Sequence, residues 1–423
     1  MDKENYRVCE SCSHILQEKN QELETSLFDR FSLSYECKTK NASCVICGQT
    51  ISNIDEEAQE KDLSLLESAL MNKNLKVICF TAPSIRVSLG DEFGFDAGAN
   101  VEDKMVSALK KLGFYAVFDM NTSADFTIIE EANEFKNRLL KQENLPMFTS
   151  CCPGWVNYCT KVCKDFIPNL STCKSPQQMF GALLNSYYAE RLGVKPTDLF
   201  VVSIVPCLAK KLEHKQEDIN SNMGLDVDVA ITTREIAKLI KKKNIDFKSL
   251  NGESFDDFFG CASGAGAIFG NTGGVMEAVL RSLNDDLNQK EQEQLEYKMV
   301  RGISGIKKAT IKIADKDIKI AVVMGLKNVN IILEELRENP KAYDFVEVMA
   351  CEGGCIGGAG QPPVGSCVLD SLLEQRAKSL YELEKQKPHR KAHNNPAVKR
   401  VYEEYIGDVG GKRAEQLLHR SYH

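Results

Sequence analysis

From Lys76 onward, short apolar runs alternate with amphipathic stretches, and this alternation limits the fold more than any other feature of the sequence. Apolar runs of this length are typical of strands buried on both faces, as in parallel sheets. The stretches between them have helical spacing, for example at 130–142, 233–243 and 329–339. We therefore expect an α/β fold whose sheets are covered by helices on both faces. The predicted strands are 76–80, 115–120, 145–148, 199–205, 227–231, 318–324 and 345–349, with an antiparallel hairpin over 309–323 that turns at Asp315–Asp317.

Composition and charge exclude several classes of protein. The net charge of −7 gives no sign of a nucleic-acid-binding surface. The first residues, MDKENYRVCE, are charged and lack an apolar core, so no signal peptide is predicted. The longest apolar stretches, such as 199–209, are shorter than the ~18 residues that a membrane-spanning helix requires. We expect a cytoplasmic protein that binds neither nucleic acid nor membrane.

The chain contains sixteen cysteines but only six histidines. In a reducing compartment, cysteines serve as metal ligands, catalytic thiols or buried residues more often than as disulfides. None of the histidines lies in the glycine-rich segments that carry cysteines, which favours thiolate-bound iron–sulfur chemistry over imidazole-bound zinc or copper. Six cysteines outside those segments are predicted to be small buried apolar residues: Cys79, Cys159, Cys163, Cys173, Cys261 and Cys367.

Three of the predicted strands run directly into turns that carry cysteine. These turns are TSCCPGW (149–155), PCLAKKLE (206–213) and ACEGGCIGGAGQPP (350–363). Ligands of open α/β sheets collect beyond the carboxyl ends of the strands, so the turns are expected to converge on one buried centre. Four thiols on them, Cys152, Cys207, Cys351 and Cys355, match the ligand set of a [4Fe–4S] cubane. The alternative is that they are inert core cysteines in a glycine-rich turn.

The same segments resemble the three signatures of the [FeFe]-hydrogenases, and further segments at 81–94, 174–184 and 263–282 are similar to that family. The resemblance covers residues 75–423 and implies a catalytic domain that ends in two wrapping helices. It also implies two lobes of mostly parallel sheets flanked by helices, with the active site in the cleft between them. Residues 1–70 are then a small cysteine-rich N-terminal domain that is similar to a degenerate ferredoxin.

The resemblance implies an H-cluster, in which a cubane is joined to a two-iron unit that carries CO, cyanide and an azadithiolate bridge. By matching the signatures, Cys152, Cys207, Cys351 and Cys355 are the cubane ligands, and Cys355 also links the two-iron unit. Cys151 is then an unligated thiol that faces the bridging amine. A thiol with an ordinary pKa near 8.5 exchanges a proton near neutrality, as a proton relay requires.

The resemblance continues the proton path from Cys151 through Glu131, Ser171 and Glu134. Helical spacing supports one part of this path, because Glu131 and Glu134 are three residues apart and share one helix face. Without the resemblance to the family, both glutamates would be interpreted as ordinary solvent-exposed carboxylates.

A set of further residues matches the lining of the two-iron pocket. Lys210 corresponds to a lysine that donates to one cyanide, and the backbone around Pro83 and Ser84 faces the other. The neighbouring Lys211 is expected to be a surface lysine. The remaining matched residues are Pro176, Gln177, Phe269 and Met349, each of which would otherwise be read as core.

The N-terminal segment retains two C-x2-C pairs, at Cys9 and Cys12 and at Cys44 and Cys47. Thr50 and Ile54 stand where a ferredoxin-like cysteine run would place further ligands. The four cysteines match either a tetrahedral zinc site or one additional [4Fe–4S] cluster, and a site without metal is the third alternative.

The resemblance implies an oxidoreductase that reversibly reduces protons to H2 with electrons from a ferredoxin-like carrier. Separate maturation proteins would deliver the two-iron unit. Two alternatives remain open from the sequence. One is a regulatory hydrogenase that senses H2, and the other is a hydrogenase-like iron–sulfur assembly protein that lacks the two-iron unit.

Overall fold

The structure, a computed structural model, describes residues 56–221, 224–362 and 369–422, with side chains from residue 60 onward. Its strands are β1 Lys76–Thr81, β2 Ala116–Asp119, β3 Met147–Phe148, β4 Leu199–Val205, β5 Val229–Thr232, β6 Ile306–Ile313, β7 Lys316–Met324 and β8 Phe345–Met349. Its helices are α1 Glu56–Met71, α2 Glu102–Leu112, α3 Met120–Lys141, α4 Pro153–Val162, α5 Pro176–Leu183, α6 Ala189–Leu192, α7 Ala209–Glu213, α8 Thr233–Lys242, α9 Gly264–Ala267, α10 Gly274–Asn288, α11 Leu326–Glu338, α12 Leu369–Gln386, α13 Pro396–Val401 and α14 Lys412–Leu418.

The first sheet has the strand order β2-β1-β4-β5, and all of its strand pairs are parallel. Its two central strands are almost entirely buried, because KVICFT and LFVVSIV present apolar side chains to both faces. Helices cover both faces, as expected for parallel strands joined by crossovers. The helix α1 packs against β5 and α8, and its Leu63, Leu66 and Ala69 join the core of this sheet.

The second sheet has the order β3-β8-β7-β6, in which only the β6–β7 pair is antiparallel. The hairpin between β6 and β7 turns at Ala314 and Asp315, where Ala314 has a φ of 50°. This turn lies slightly earlier than the predicted one. Side chains of β7 alternate between two faces, since Ile320 and Val322 face α3 and α10 whereas Ala321 and Val323 face α4 and α11.

Two long helices tie the sheets together. The helix α3 packs against α5 on the side of the first sheet and against α9 and α10 on the side of the second. The helix α12 packs against α9 and against the short 3-10 helices Pro83–Val87 and Cys355–Gly357. The predicted α/β class with sheets flanked by helices is confirmed. In the described part of the chain, every helix is too short or too polar to cross a bilayer.

Candidate active site

One cavity lies between the two sheets, at the carboxyl ends of strands from both of them. From the first sheet, residues after β1 and β4 reach it, including Pro83 and Cys207; from the second, residues after β3 and β8 do so. Parallel strands place such turns at one sheet edge, which is why distant segments meet here. Eleven of the predicted site residues line the cavity: Pro83, Cys151, Cys152, Pro176, Gln177, Cys207, Lys210, Phe269, Met349, Cys351 and Cys355.

Cys152 and Cys207 are positioned by the elements that begin beside them. Cys152 is the N-cap residue of α4, and Pro153 fixes the first helical position after it. The Sγ atom of Cys152 accepts a hydrogen bond of 3.4 Å from the Ala350 backbone N–H, which ties it to the turn after β8. Burial, followed by the neighbouring Cys152, raises the pKa of Cys207 to about 11. A bound cation would reverse this shift, because thiolate ligands coordinate metal in the deprotonated form.

The glycine-rich loop after β8 lies directly against the turn that carries Cys207. The Gly360 N–H donates to the Pro206 carbonyl at 2.7 Å, and a Cβ at Gly358 would lie 2.4 Å from the same oxygen. On the other side, Gly354 has a φ of 83° and pairs with Asn271 in an isolated β-bridge. Side chains at these glycines would push the loop outward, so the glycines hold Cys351 and Cys355 close to Cys207.

Lys210 enters the cavity wall as part of a buried ion pair. Its ammonium donates to the Glu213 carboxylate at 2.7 Å and to the Cys151 carbonyl at 3.1 Å. Burial disfavours the charged ammonium, but Glu213 outweighs that effect and raises the pKa of Lys210. Glu213 also accepts hydrogen bonds from Ser175 and Gln177, so the lysine is oriented by a satisfied network.

Cys151 is buried in the cavity wall next to Glu131. Burial first, and then the Glu131 carboxylate, raises the pKa of the Cys151 thiol well above its ordinary value. The thiol is therefore protonated at neutral pH, and it gives up its proton less readily than a thiol with an unperturbed pKa. Cys151 is suited to carry a proton as a neutral donor.

Glu131 is fully buried, and neither of its carboxylate oxygens has a hydrogen-bond partner of good geometry. Burial and the neighbouring Glu134 raise the pKa of Glu131 to about 8, whereas weak contacts with Ser171 and the Ser150 backbone oppose the rise. A carboxyl with this pKa is both donor and acceptor near neutral pH. Without the resemblance to the family, Glu131 would be interpreted as a solvent-exposed carboxylate. Its burial shows that this interpretation is wrong.

Ser171 contacts a second glutamate, which lies nearer the surface. Its hydroxyl donates to Glu134 Oε2 at 2.7 Å. The Glu134 carboxylate also accepts from the Thr172 N–H at 3.0 Å and from Arg138 at 2.7 Å, which fix its orientation. Glu134 lines an open pocket on the protein surface.

The comparison with protein families covers most of the chain. The family model described as the iron only hydrogenase large subunit, C-terminal domain, matches residues 75–359, and the iron hydrogenase small subunit matches residues 370–423. The chain belongs to the iron-only hydrogenase family.

Among curated relatives, the NADP-reducing hydrogenase subunit HndD of Solidesulfovibrio fructosivorans is 42% identical over 397 residues, covering 92% of this chain and 67% of the relative. Iron hydrogenase 1 of Clostridium pasteurianum is 41% identical, covering 86% of this chain and 64% of the relative. The chain thus spans about two thirds of their length. A variant of apo [FeFe]-hydrogenase HydA1 from Chlamydomonas reinhardtii superposes with a TM-score of 0.75 at 32% identity, covering 86% of this chain and 98% of that one.

Other relatives are named for a different role or carry a different name. Protein NAR1 of Arabidopsis thaliana is 31% identical over 408 residues, which cover 90% of this chain and 85% of the relative. The cytosolic Fe-S cluster assembly factor narfl of Danio rerio is 30% identical and covers 82% of this chain.

The residues at the cavity fit the cofactor that the family implies. The thiols of Cys152, Cys207 and Cys355 form no disulfide, and thiolates are the ligands that iron–sulfur clusters require. Gln177, which lines the cavity, has a buried Oε1 without a hydrogen-bond partner among the described residues. Buried polar atoms are normally satisfied, so this atom fits a polar group bound in the cavity. Ser84 does not line the cavity, although it follows Pro83, which does.

Several predictions about single residues are corrected. Lys211 is a buried residue that pairs with Asp62 of α1 at 2.6 Å and with Glu235 of α8 at 2.7 Å, so it is not a surface lysine. Cys261 is exposed, whereas Cys79, Cys159, Cys163 and Cys173 are buried as predicted. Cys367 and the N-terminal cysteines Cys9, Cys12, Cys44 and Cys47 lie outside the described residues.

The resemblance points to Glu213 as well as Lys210, and Glu213 follows that lysine by one helical turn. The sequence did not point to every polar residue near the site. His419 contacts Thr172 through its ring at 2.8 Å, but the two residues are 247 positions apart and no local pattern predicts their contact.

Proposed function

We propose that this protein is a hydrogenase that reversibly reduces two protons with two electrons to H2. One observation carries the proposal: the residues Cys151, Glu131, Ser171 and Glu134 follow one another from the cysteine-lined cavity to a solvent-open pocket. An enzyme that consumes protons at a buried centre requires such a route, and a protein that only carries a cluster does not.

The cysteines after β3, β4 and β8 would hold the cofactor. Cys152, Cys207, Cys351 and Cys355 would bind the [4Fe–4S] cubane, and Cys355 would also join it to the two-iron unit of the H-cluster. When bound, this group supplies the electrons and the position at which hydrogen is formed or split. The polypeptide contributes the surrounding apolar wall, including Phe269 and Met349.

The protein's own groups have separate tasks in this mechanism. The Lys210 ammonium, oriented by Glu213, presents a fixed positive charge to an anionic ligand in the cavity. Pro83, Pro176 and Gln177 line the same space, and Gln177 offers a buried polar group there. The backbone at Pro83 and Ser84 is proposed to face a second anionic ligand.

Proton movement is assigned to four side chains in series. The Cys151 thiol holds a proton at Sγ on the cavity wall and is recharged by Glu131, whose pKa of about 8 suits both directions. In the direction of H2 formation, Glu134 takes a proton from water in the surface pocket and passes it from Oε2 to the Ser171 hydroxyl, which is 2.7 Å away. Ser171 gives its own hydroxyl proton to Glu131, which replaces the proton that Glu131 passed to Cys151; H2 oxidation runs the same steps in reverse.

The electron donor is proposed to be a ferredoxin-like carrier, and maturation proteins are proposed to load the two-iron unit. At the N-terminus, Cys9, Cys12, Cys44 and Cys47 are proposed to hold zinc or one additional [4Fe–4S] cluster within a domain over residues 1–70. An iron and zinc count on the purified full-length chain distinguishes these two metals.

Assembly proteins of the NAR1 type are the second candidate, because relatives with that role align with most of this chain. The identity of 41–42% to hydrogenases, against 31% to Protein NAR1, favours the enzyme. The series of protonatable side chains between the cavity and the surface pocket favours it further.

The test is H2 formation by anaerobically matured full-length protein with reduced ferredoxin as electron donor. We expect continuous turnover that is almost abolished in Cys151→Ala, while the matched buried-thiol variant Cys159→Ala stays close to the wild-type rate. A matured protein with intact cofactor but no turnover would support the H2-sensing alternative instead.

A further inference from the structure

The C-terminal segment after α14 is paired, through its backbone, with the segment that follows Ser171. Lys174 N–H donates to the Leu418 carbonyl and Arg420 N–H donates to the Thr172 carbonyl, each at 2.8 Å. Cys173 and His419 form the antiparallel bridge between these two contacts. The pairing holds the His419 side chain in a fixed position at the outer end of the proton route.

Three potential metal ligands of different types meet at this position. One ligand atom each from Glu134, Cys173 and His419 lies within 4.8 Å of the other two. Cys173 Sγ is 3.7 Å from Glu134 Oε2. Tetrahedral Zn2+ sites are built from thiolate, imidazole and carboxylate with bonds of about 2.0–2.3 Å, so small side-chain movements bring these atoms into range of one ion.

Glu130 contacts the His419 ring in the way that a carboxylate supports a metal-bound histidine. His419 Nε2 lies 3.1 Å from Glu130 Oε2, and Nδ1 lies 2.8 Å from Thr172 Oγ1. Histidine ligands usually donate their second ring N–H to a carboxylate, which fixes the tautomer and orients the ring. Glu130 is itself held by the Tyr402 hydroxyl and the Gly410 N–H.

Charge and access also suit a cation. The carboxylates of Glu130, Glu131 and Glu134 surround the cluster, and Arg138 pairs with Glu134 Oε1, leaving Oε2 as the oxygen nearest Cys173. The open pocket that Glu134 and His419 line provides an entry path and water for a fourth ligand position. Cys173 is buried, whereas Glu134 and His419 line the pocket.

We propose that Glu134, Cys173 and His419 form a binding site for a borderline-soft divalent cation such as Zn2+. Binding forms one bond each to Glu134 Oε2, Cys173 Sγ and His419 Nδ1, and the thiol proton of Cys173 is released to solvent. Glu134 is also the last member of the proposed proton route, and a metal on Oε2 displaces its contact with Ser171. The cation therefore blocks proton exchange at the surface, a consequence that rests on the proposed function.

Binding is tested by anaerobic calorimetric titration with Zn2+ on the full-length protein that contains its iron–sulfur cofactor. We expect the wild type to bind one Zn2+ that Cys173→Ser and His419→Gln bind at least tenfold more weakly, because each lacks a ligand. Glu130→Gln is expected to weaken the same site by about 10–100-fold. Cys261→Ser, which removes an exposed thiol away from the cluster, is the matched control and keeps the wild-type titration.

The N-terminal cysteines are present in every variant, so any zinc that they bind cancels in the comparison. Equal zinc stoichiometry and affinity in the wild type, Cys173→Ser and His419→Gln would overturn the site. Since His419 is partly exposed, its substitution keeps the test decisive even if Cys173→Ser fails to fold.

The blocking effect is measured separately, as H2 formation with and without added Zn2+. Wild type and Cys261→Ser are expected to lose turnover at the zinc concentration that fills the site, whereas Cys173→Ser and His419→Gln resist inhibition at least tenfold better. Zinc binding without inhibition would overturn the blocking role alone. A protein that makes no H2 would fail the proposed function and leave the binding result standing.

Discussion

The Ser171 hydroxyl donates to Glu134 Oε2 across 2.7 Å, at the edge of the surface pocket that Glu134 lines. Glu131 lies on the interior side of Ser171 and has no well-placed hydrogen-bond donor among the described residues. In the proposed route, a proton that crosses between the two glutamates passes through the serine.

Ser171→Ala removes the only hydroxyl between the two glutamates in the proposed route. We expect the rate of H2 formation to fall by about 10²-fold or more, the scale of a lost proton-transfer group. Ser186→Ala is the matched control, because Ser186 donates only to the Ala182 carbonyl within its own helical segment. The rate is measured on matured protein with equal cofactor content, and an unchanged rate in Ser171→Ala would remove the serine from the route.

Glu131 gives the protein a pH-dependent stability. Its pKa is raised from 4.5 to about 8, so between these values the native state binds a proton that the unfolded chain has released. The free energy of unfolding contributed by this residue therefore falls as the pH rises from 4.5 to about 8. Glu131→Gln lacks the effect, and we expect its stability relative to wild type to increase over this range. Chemical denaturation at several pH values tests this, and a pH-independent difference would contradict it.

We predict that removing only one partner of the Lys210–Glu213 ion pair strongly lowers the free energy of unfolding. Lys210→Ala leaves the Glu213 carboxylate buried without its cation and should lower the free energy of unfolding by about 3–5 kcal/mol. The double variant Lys210→Met with Glu213→Gln should recover much of that loss. Lys238→Ala, which breaks an exposed pair with Glu60, should cost less than about 1 kcal/mol. Equal losses in Lys210→Ala and Lys238→Ala would contradict the network.

Gly358→Ala is predicted to disturb the cluster ligands rather than the whole protein. The new Cβ would lie 2.4 Å from the Pro206 carbonyl, so the loop of Cys351 and Cys355 has to move away from Cys207. We expect lower iron content in the purified protein. Gly407→Ala is the control, since its φ of 87° makes alanine unfavourable by roughly 1–2 kcal/mol but no atom lies within 4 Å of the new Cβ. Equal iron content in both variants would show that the close contact is unimportant.

The strands could be predicted because each is a short apolar run between turns. The helix Met120–Lys141 was predicted only from residue 130, because its first half is buried on nearly all sides and lacks an apolar stripe. Polar residues such as Asn121, Ser123 and Asp125 occupy buried positions there, so the sequence shows no 3.6-residue apolar pattern. Tertiary packing, not local pattern, determines where this helix begins.

The cavity-lining cysteines could be predicted because they follow strands, but their supporting partners could not. Lys211 was predicted to be exposed because lysine usually is, and its burial depends on Asp62 and Glu235 from two other helices. The same applies to His419, whose contacts with Thr172 and Glu130 join the C-terminal segment to residues near the middle of the chain. Long-range pairing of this kind leaves no trace in residue spacing.

The central claim is that four cysteines from both sheets hold a cubane joined to a two-iron unit beside Cys151. Infrared spectroscopy of anaerobically matured full-length protein tests it most directly, because CO and cyanide bound to iron absorb where the polypeptide does not. We predict these bands in wild type and in Cys151→Ala, and their loss in Cys355→Ala. A matured wild-type protein that contains a [4Fe–4S] cluster but no CO or cyanide bands would contradict the account.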